Sequence, residues 1–150
     1  MKWTTTILFV FAGVAFGIVS AEVIPIHDCG SKAGTITQID VTPCSTIPCP
    51  FKRNTNVSVT ITFTANQEIT EAVTSVHGII AGVPVPFPLP DPNACHFMTC
   101  PIASGATGLY KNAIFVQQVY PKITLLVKYE LVASDSTDAV CFTVPATIVD

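Results

Sequence analysis

Val57-Ser58-Val59-Thr60-Ile61-Thr62-Phe63-Thr64-Ala65 is apolar at every odd position and Ser or Thr at every even one. Successive side chains of an extended chain leave on opposite faces, so this stretch reads as a strand with one buried and one solvated face. Two further runs repeat it. In Ile123 to Val132, Ile123, Leu125, Val127, Tyr129 and Leu131 share one face and Thr124, Lys128 and Glu130 the other, with Leu126 as the one interruption. In Val140 to Val149, Val140, Phe142, Val144, Ala146 and Ile148 point inward and Cys141, Thr143 and Thr147 outward. Pro145 has no N–H for a ladder, which marks that run as an edge strand. Weaker strand signals cover Thr35 to Val41, Ala72 to Ala81 and Ala113 to Val119, and turn clusters such as Asp91-Pro92-Asn93 and Ser134-Asp135-Ser136 separate the runs. No ten-residue window carries a helical period. The economical fold is a single all-β domain: six to seven antiparallel strands in a two-sheet sandwich.

The 150 residues are 49% hydrophobic and 11% charged, too apolar for a disordered chain and about half as charged as an ordinary domain. Seven Lys and Arg against ten Asp and Glu provide no basic face, which excludes nucleic acid as a partner. Part of the apolar excess is local. Met1-Lys2-Trp3 leads into an uncharged stretch from Ile7 to Val19 and then Val19-Ser20-Ala21: a charged start, an apolar region and a small-residue cleavage site. Residues 1–21 therefore read as a signal peptide, too short for the roughly 20 apolar residues of a membrane span, with residues 22–150 as the mature domain.

All six cysteines (29, 44, 49, 95, 100 and 141) lie in the mature part, and an even count behind a signal peptide reads as disulfides. Of the fifteen pairings that six cysteines allow, spacing favours Cys44 with Cys49 and Cys95 with Cys100, each closing a short Pro-containing loop, which leaves Cys29 with Cys141. A zinc site built from the two close pairs and His96 is the alternative, disfavoured by the secretory route. Asn56-Val57-Ser58 is a glycosylation sequon, and the alternation turns Asn56 outward. Gly82-Val83-Pro84-Val85-Pro86-Phe87-Pro88-Leu89-Pro90-Asp91-Pro92 has Pro at every second position and must run along an edge or over a rim, as an apolar flap centred on Phe87. No catalytic motif accompanies His27, His77 or His96, and His77 within Val76-His77-Gly78-Ile79-Ile80 reads as a hydrogen-bonded structural histidine. No enzyme, cofactor or metal is expected.

Asp28-Cys29-Gly30-Ser31, Pro43-Cys44 with Pro48-Cys49, Val76-His77-Gly78-Ile79, Gly82 to Pro88, Cys100-Pro101-Ile102 and Tyr120-Pro121 together resemble the Niemann-Pick type C-two family, small secreted lipid carriers with the MD-two-related lipid-recognition (ML) domain. The likeness runs in order over residues 22–150. It implies an immunoglobulin-like β-sandwich with a lipid cavity between its sheets and the same three disulfides. It places Phe87, Val116 and Tyr120 at the pocket, and the strand alternation supplies Val59, Ile61, Phe63, Val127 and Phe142 as the inward positions of the remaining wall. It implies a sterol or fatty-acid ligand, transient membrane contact, a membrane acceptor protein of the Niemann-Pick type C pathway, a monomer, and a secreted or lysosomal place of action. The sequence departs from vertebrate-like members, which carry Trp where this chain has Tyr129 and Phe142. That leaves open carriage of fatty acids or hydrophobic semiochemicals, as in arthropod members, or an innate-immune lipid-recognition role of the same fold.

Overall fold

The computed structural model describes residues 26–150, so the expected signal peptide lies outside the described residues. Nine strands follow in order: β1 His27–Asp28, β2 Gly34–Thr42, β3 Cys49–Lys52, β4 Thr55–Ala65, β5 Ala72–Ile80, β6 Val83–Phe87, β7 Thr107–Val116, β8 Thr124–Ala133 and β9 Asp138–Val149. A single 3-10 turn, Ala94–His96, is the one helical element among the described residues, and none is long and apolar enough to cross a membrane. The larger sheet runs β1-β9-β8-β5-β6 with β3 added on β9, and the smaller runs β2-β4-β7. The two sheets form the expected sandwich, antiparallel throughout except where β3 pairs with β9 in parallel. The alternating stretch lies in β4, the middle strand of the smaller sheet, with Val57, Val59, Ile61, Phe63 and Ala65 all buried and Asn56 exposed.

Pro145 does not sit on an edge strand. β9 pairs with β8 on one side, and on the other with β1 through Phe142 and Thr143 and with β3 from Ala146 to Val149. The carbonyls of Cys141 and Val149 accept from the N–H groups of Cys29 and Arg53 on that second side. By alternation the missing N–H of Pro145 points the same way, into the gap between the two short partners, and costs the ladder nothing. Cys141 was expected outward. It does leave the outer face, but its disulfide to Cys29 draws the N-terminal segment over it, and Ser31 Oγ accepts its backbone N–H at 2.9 Å, so it is fully buried.

The Pro-rich segment behaves as its sequence dictates. β6 pairs with β5 alone, and Pro84 and Pro86, at alternate positions, put both missing donors on the unpaired side of the strand. All six cysteines are joined as spacing favours, 29 with 141, 44 with 49 and 95 with 100. Zinc therefore has no thiolate to bind.

The β8–β9 turn is organised by Asp135. Its carboxylate accepts from the Thr137 hydroxyl at 2.6 Å, the Gln67 side-chain amide at 2.8 Å and the Thr137 N–H at 3.0 Å. These bonds hold its pKa at about 2, against an ordinary 3.8. A carboxylate whose pKa is depressed by folding contributes stability above its unfolded pKa and loses it as the pH falls through the folded value. Thermal unfolding is therefore expected to show an acid-side decline between about pH 4 and pH 2 that is smaller in Asp135→Asn.

Candidate functional site

The space between the sheets is divided. At one end it is occupied by the side chains of Ile61, Phe63, Ile69, Tyr110, Leu131 and Val140, each fully buried. At the other end the sheets enclose a cavity of about 200 Å³. Its walls are the start of β4 (Val57, Val59), the end of β7 (Ile114, Val116), the middle and end of β5 (Val76, Gly78), the first part of β8 (Leu125, Val127, Tyr129) and the middle and end of β9 (Phe142, Val144, Ile148), closed by Val41 and Phe51. Phe87 from β6 and Tyr120 from the β7–β8 loop meet at its mouth, ring centroids 5.1 Å apart, flanked by Pro86, Pro88 and Pro121. No Asp, Glu, Lys or Arg lines it, and His77 is the one histidine in the wall.

Six of the eight positions picked from the sequence, Val59, Phe87, Val116, Tyr120, Val127 and Phe142, converge on this cavity. Ile61 and Phe63 do not. They occupy the packed end, where the Phe63 ring fills the room left by Gly34 and Gly108, either of which would drive a Cβ into it. Phe51, Leu125 and Val144 line the cavity as well. Gly78 is a further lining position and carried a usable signal, because a glycine inside a strand marks missing side-chain volume. A Cβ there would lie 2.8 Å from Leu125 Cδ1.

A buried hydroxyl cluster separates the two ends. Tyr110 OH on β7 meets Tyr129 OH on β8 at 2.8 Å and Thr74 Oγ1 on β5 at 3.0 Å, and accepts from the Asn112 side-chain amide at 2.9 Å. Tyr129 in turn stacks on Phe142 at 5.5 Å. The cluster ties the two sheets together by side chains as satisfied polar groups. Burial, then the neighbouring Tyr110, drive the Tyr129 phenol far above its ordinary range, and burial raises Tyr120 as well, so both are uncharged where they line the cavity. Tyr110→Phe is expected to cost about 1–3 kcal/mol in urea unfolding, because Thr74 is left with a buried, unpaired hydroxyl. Tyr129→Phe should cost less, since Tyr110 keeps its other two partners.

Among the described residues, the groups around His77, which itself lines the cavity beside Val76 and Gly78, do not form a catalytic relay. Ser75 Oγ and Glu130 Oε2 lie 3.5 and 4.0 Å from His77, both at Nδ1. A Ser-His-acid relay needs opposite nitrogens of the ring. Glu130, Asp138 and Cys141 come within 4.8 Å of one another, but the sulfur is committed to its disulfide.

The family model described as the ML domain matches residues 23–148. The chain belongs to the ML-domain family. Within it, the chain is similar to the ecdysteroid-regulated 16 kDa protein of Manduca sexta, 40% identical over 135 residues, covering 87% of this chain and 92% of that one. It is 36% identical over 141 residues to the bovine NPC intracellular cholesterol transporter 2, covering 93% and 94% of the two chains. The crystal structure of a Niemann-Pick type C2 protein from the Japanese carpenter ant superposes with a TM-score of 0.78 at 28% identity, over 85% of this chain and all of that one. ML-domain proteins of this kind are lipid-binding carriers, not enzymes.

Proposed function

We propose that this ML-domain protein is a secreted or lysosomal carrier that holds one sterol, cholesterol-like in shape, between its sheets and passes it to a membrane or membrane protein. The observation that carries this reading is the predominantly apolar cavity, free of Asp, Glu, Lys and Arg, with an aromatic mouth. Apolar cavities of this order stay dry and accept apolar molecules. Burying ~300 to 400 Å² of hydrocarbon at ~25 cal/mol/Å² contributes ~8 to 10 kcal/mol before ordering costs, enough for submicromolar binding without an ion pair. A sterol hydroxyl needs no counter-ion, whereas an ionised fatty acid finds no Lys or Arg in the lining, only the imidazole of His77. A sterol exceeds about 200 Å³, so uptake parts the sheets at the mouth, where β6 is paired on one side alone and Tyr120 sits on a loop. Exposed Val83, Val85 and Val119 flank the mouth and suit transient membrane contact during transfer. The exposed Asn56 suits glycosylation on the secretory route.

Titration of delipidated protein with cholesterol and, separately, oleic acid tests this reading. One-to-one binding of cholesterol supports it, preference for oleic acid favours the fatty-acid alternative, and failure with every lipid class overturns it. Phe87→Ala and Tyr120→Ala are expected to weaken binding about tenfold with unchanged urea midpoints, because both rings are partly exposed. Normal affinity in both would remove these residues from the site.

A further inference from the structure

We infer that Arg53 is a positioning residue that fastens the loop carrying Tyr120 and thereby sets how fast lipid enters and leaves; the inference rests on the carrier reading. Arg53 lies in the β3–β4 turn and is not part of the cavity wall. Its Nη1 donates to the carbonyl oxygens of Gln118 at 3.3 Å and Tyr120 at 3.4 Å, and its Nη2 pairs with the Asp150 carboxylate. The other Asp150 oxygen accepts from Lys122 Nζ at 2.7 Å, next to Pro121 of the mouth. The following residue joins in, since Asn54 donates its N–H to the Val116 carbonyl at 2.7 Å and its side-chain amide to Gln118 Oε1.

Residues 116–122 are thus gripped from one side by Arg53, Asn54 and Asp150. The loop has little else to hold it. Gln117, Gln118 and Val119 are exposed, and its internal backbone bond is Tyr120 N–H to Gln117 C=O at 3.2 Å. Among the described residues, Arg53 Nε is the buried side-chain polar atom left without a hydrogen-bond partner. A guanidinium held there despite that orphaned donor is placed by its other contacts, to two carbonyls and a carboxylate. A lysine, with one nitrogen in place of a planar fork, cannot reproduce that span. Because Tyr120 touches Phe87 across the mouth, slackening the loop opens the path without altering the wall behind it.

Stopped-flow mixing of the delipidated protein with dehydroergosterol, and with cis-parinaric acid as a second probe, tests this in wild type, Arg53→Ala, Arg53→Gln, Arg53→Lys and Asp150→Asn. Arg53→Ala and Arg53→Gln are expected to raise the loading and unloading rates together by about tenfold, leaving Kd within twofold, with Arg53→Lys and Asp150→Asn in between. Arg53→Gln keeps a packing stem, so it reads the clamp even if the alanine variant unfolds. Unchanged rates in the folded variants, or an unloading rate that rises alone with a lowered Tm, would overturn the inference. Wild-type protein that binds neither probe would instead overturn the carrier reading on which it rests.

Discussion

Val59→Phe is expected to weaken lipid binding at least a hundredfold while leaving the unfolding free energy within about 1 kcal/mol of wild type. Ile61→Phe, two residues along the same strand and the same face, should do the reverse. Val59 borders the cavity, so the added ring enters space that is empty of protein and occupies what the ligand needs. Ile61 is fully buried in the packed end, where added bulk forces neighbours off their rotamers and typically costs about 1–3 kcal/mol. Its lipid affinity is expected to stay within about threefold. Isothermal titration with cholesterol and urea unfolding of both variants separate the two effects. Equal loss of binding in both would show that the division between hollow and packed ends does not govern uptake.

Removing the Cys29–Cys141 disulfide is expected to have the largest effect on stability. It joins residues 112 apart in sequence, and in the chain-entropy picture a loop of that length contributes roughly 4 to 5 kcal/mol by constraining the unfolded chain. The Cys44–Cys49 and Cys95–Cys100 bridges each span 5 residues and contribute about 2 kcal/mol by the same relation. The long bridge also pins the N-terminal segment on β9, through Cys29 N–H to Cys141 C=O at 3.0 Å. The double variant Cys29→Ser, Cys141→Ser should therefore lose a large share of a typical domain's total of about 5–15 kcal/mol, and more than either small-loop double variant, in denaturant unfolding. A loss no greater than theirs would show that residual structure in the unfolded chain cancels the effect of loop length.

Side-chain facing was legible in the sequence because it depends on a period of two and little else. That is why the buried rows of β4, β8 and β9 and the edge position of β6 follow from residue order. Pairing partners were not legible at the same level. β3 is four residues long and pairs in parallel with a strand distant in sequence, and β1 is two residues long, so neither leaves a periodic trace. Pro145 misled for the same reason, since a proline reports a missing donor but not which neighbour would have used it. The distinction between cavity and core was the least legible. Val59 and Ile61 carry the same pattern, and whether the opposite sheet reaches them depends on what it presents: Val127 and Gly78 beside the cavity, Leu131 and Val140 beyond it. The alternate prolines singled out Phe87, and the resemblance to known carriers, not the alternation of the strands, directed attention to Val116 and Tyr120.

The central claim is that the hollow end of this sandwich holds a single lipid molecule. Native mass spectrometry of the delipidated mature protein, mixed with cholesterol under non-denaturing conditions, tests it most directly. The expected result is a mass step of one sterol per chain that is absent in Val59→Phe and retained in Ile61→Phe. A protein that stays unliganded with cholesterol and with every other lipid class offered, or a Val59→Phe variant that binds as wild type does, would contradict the account.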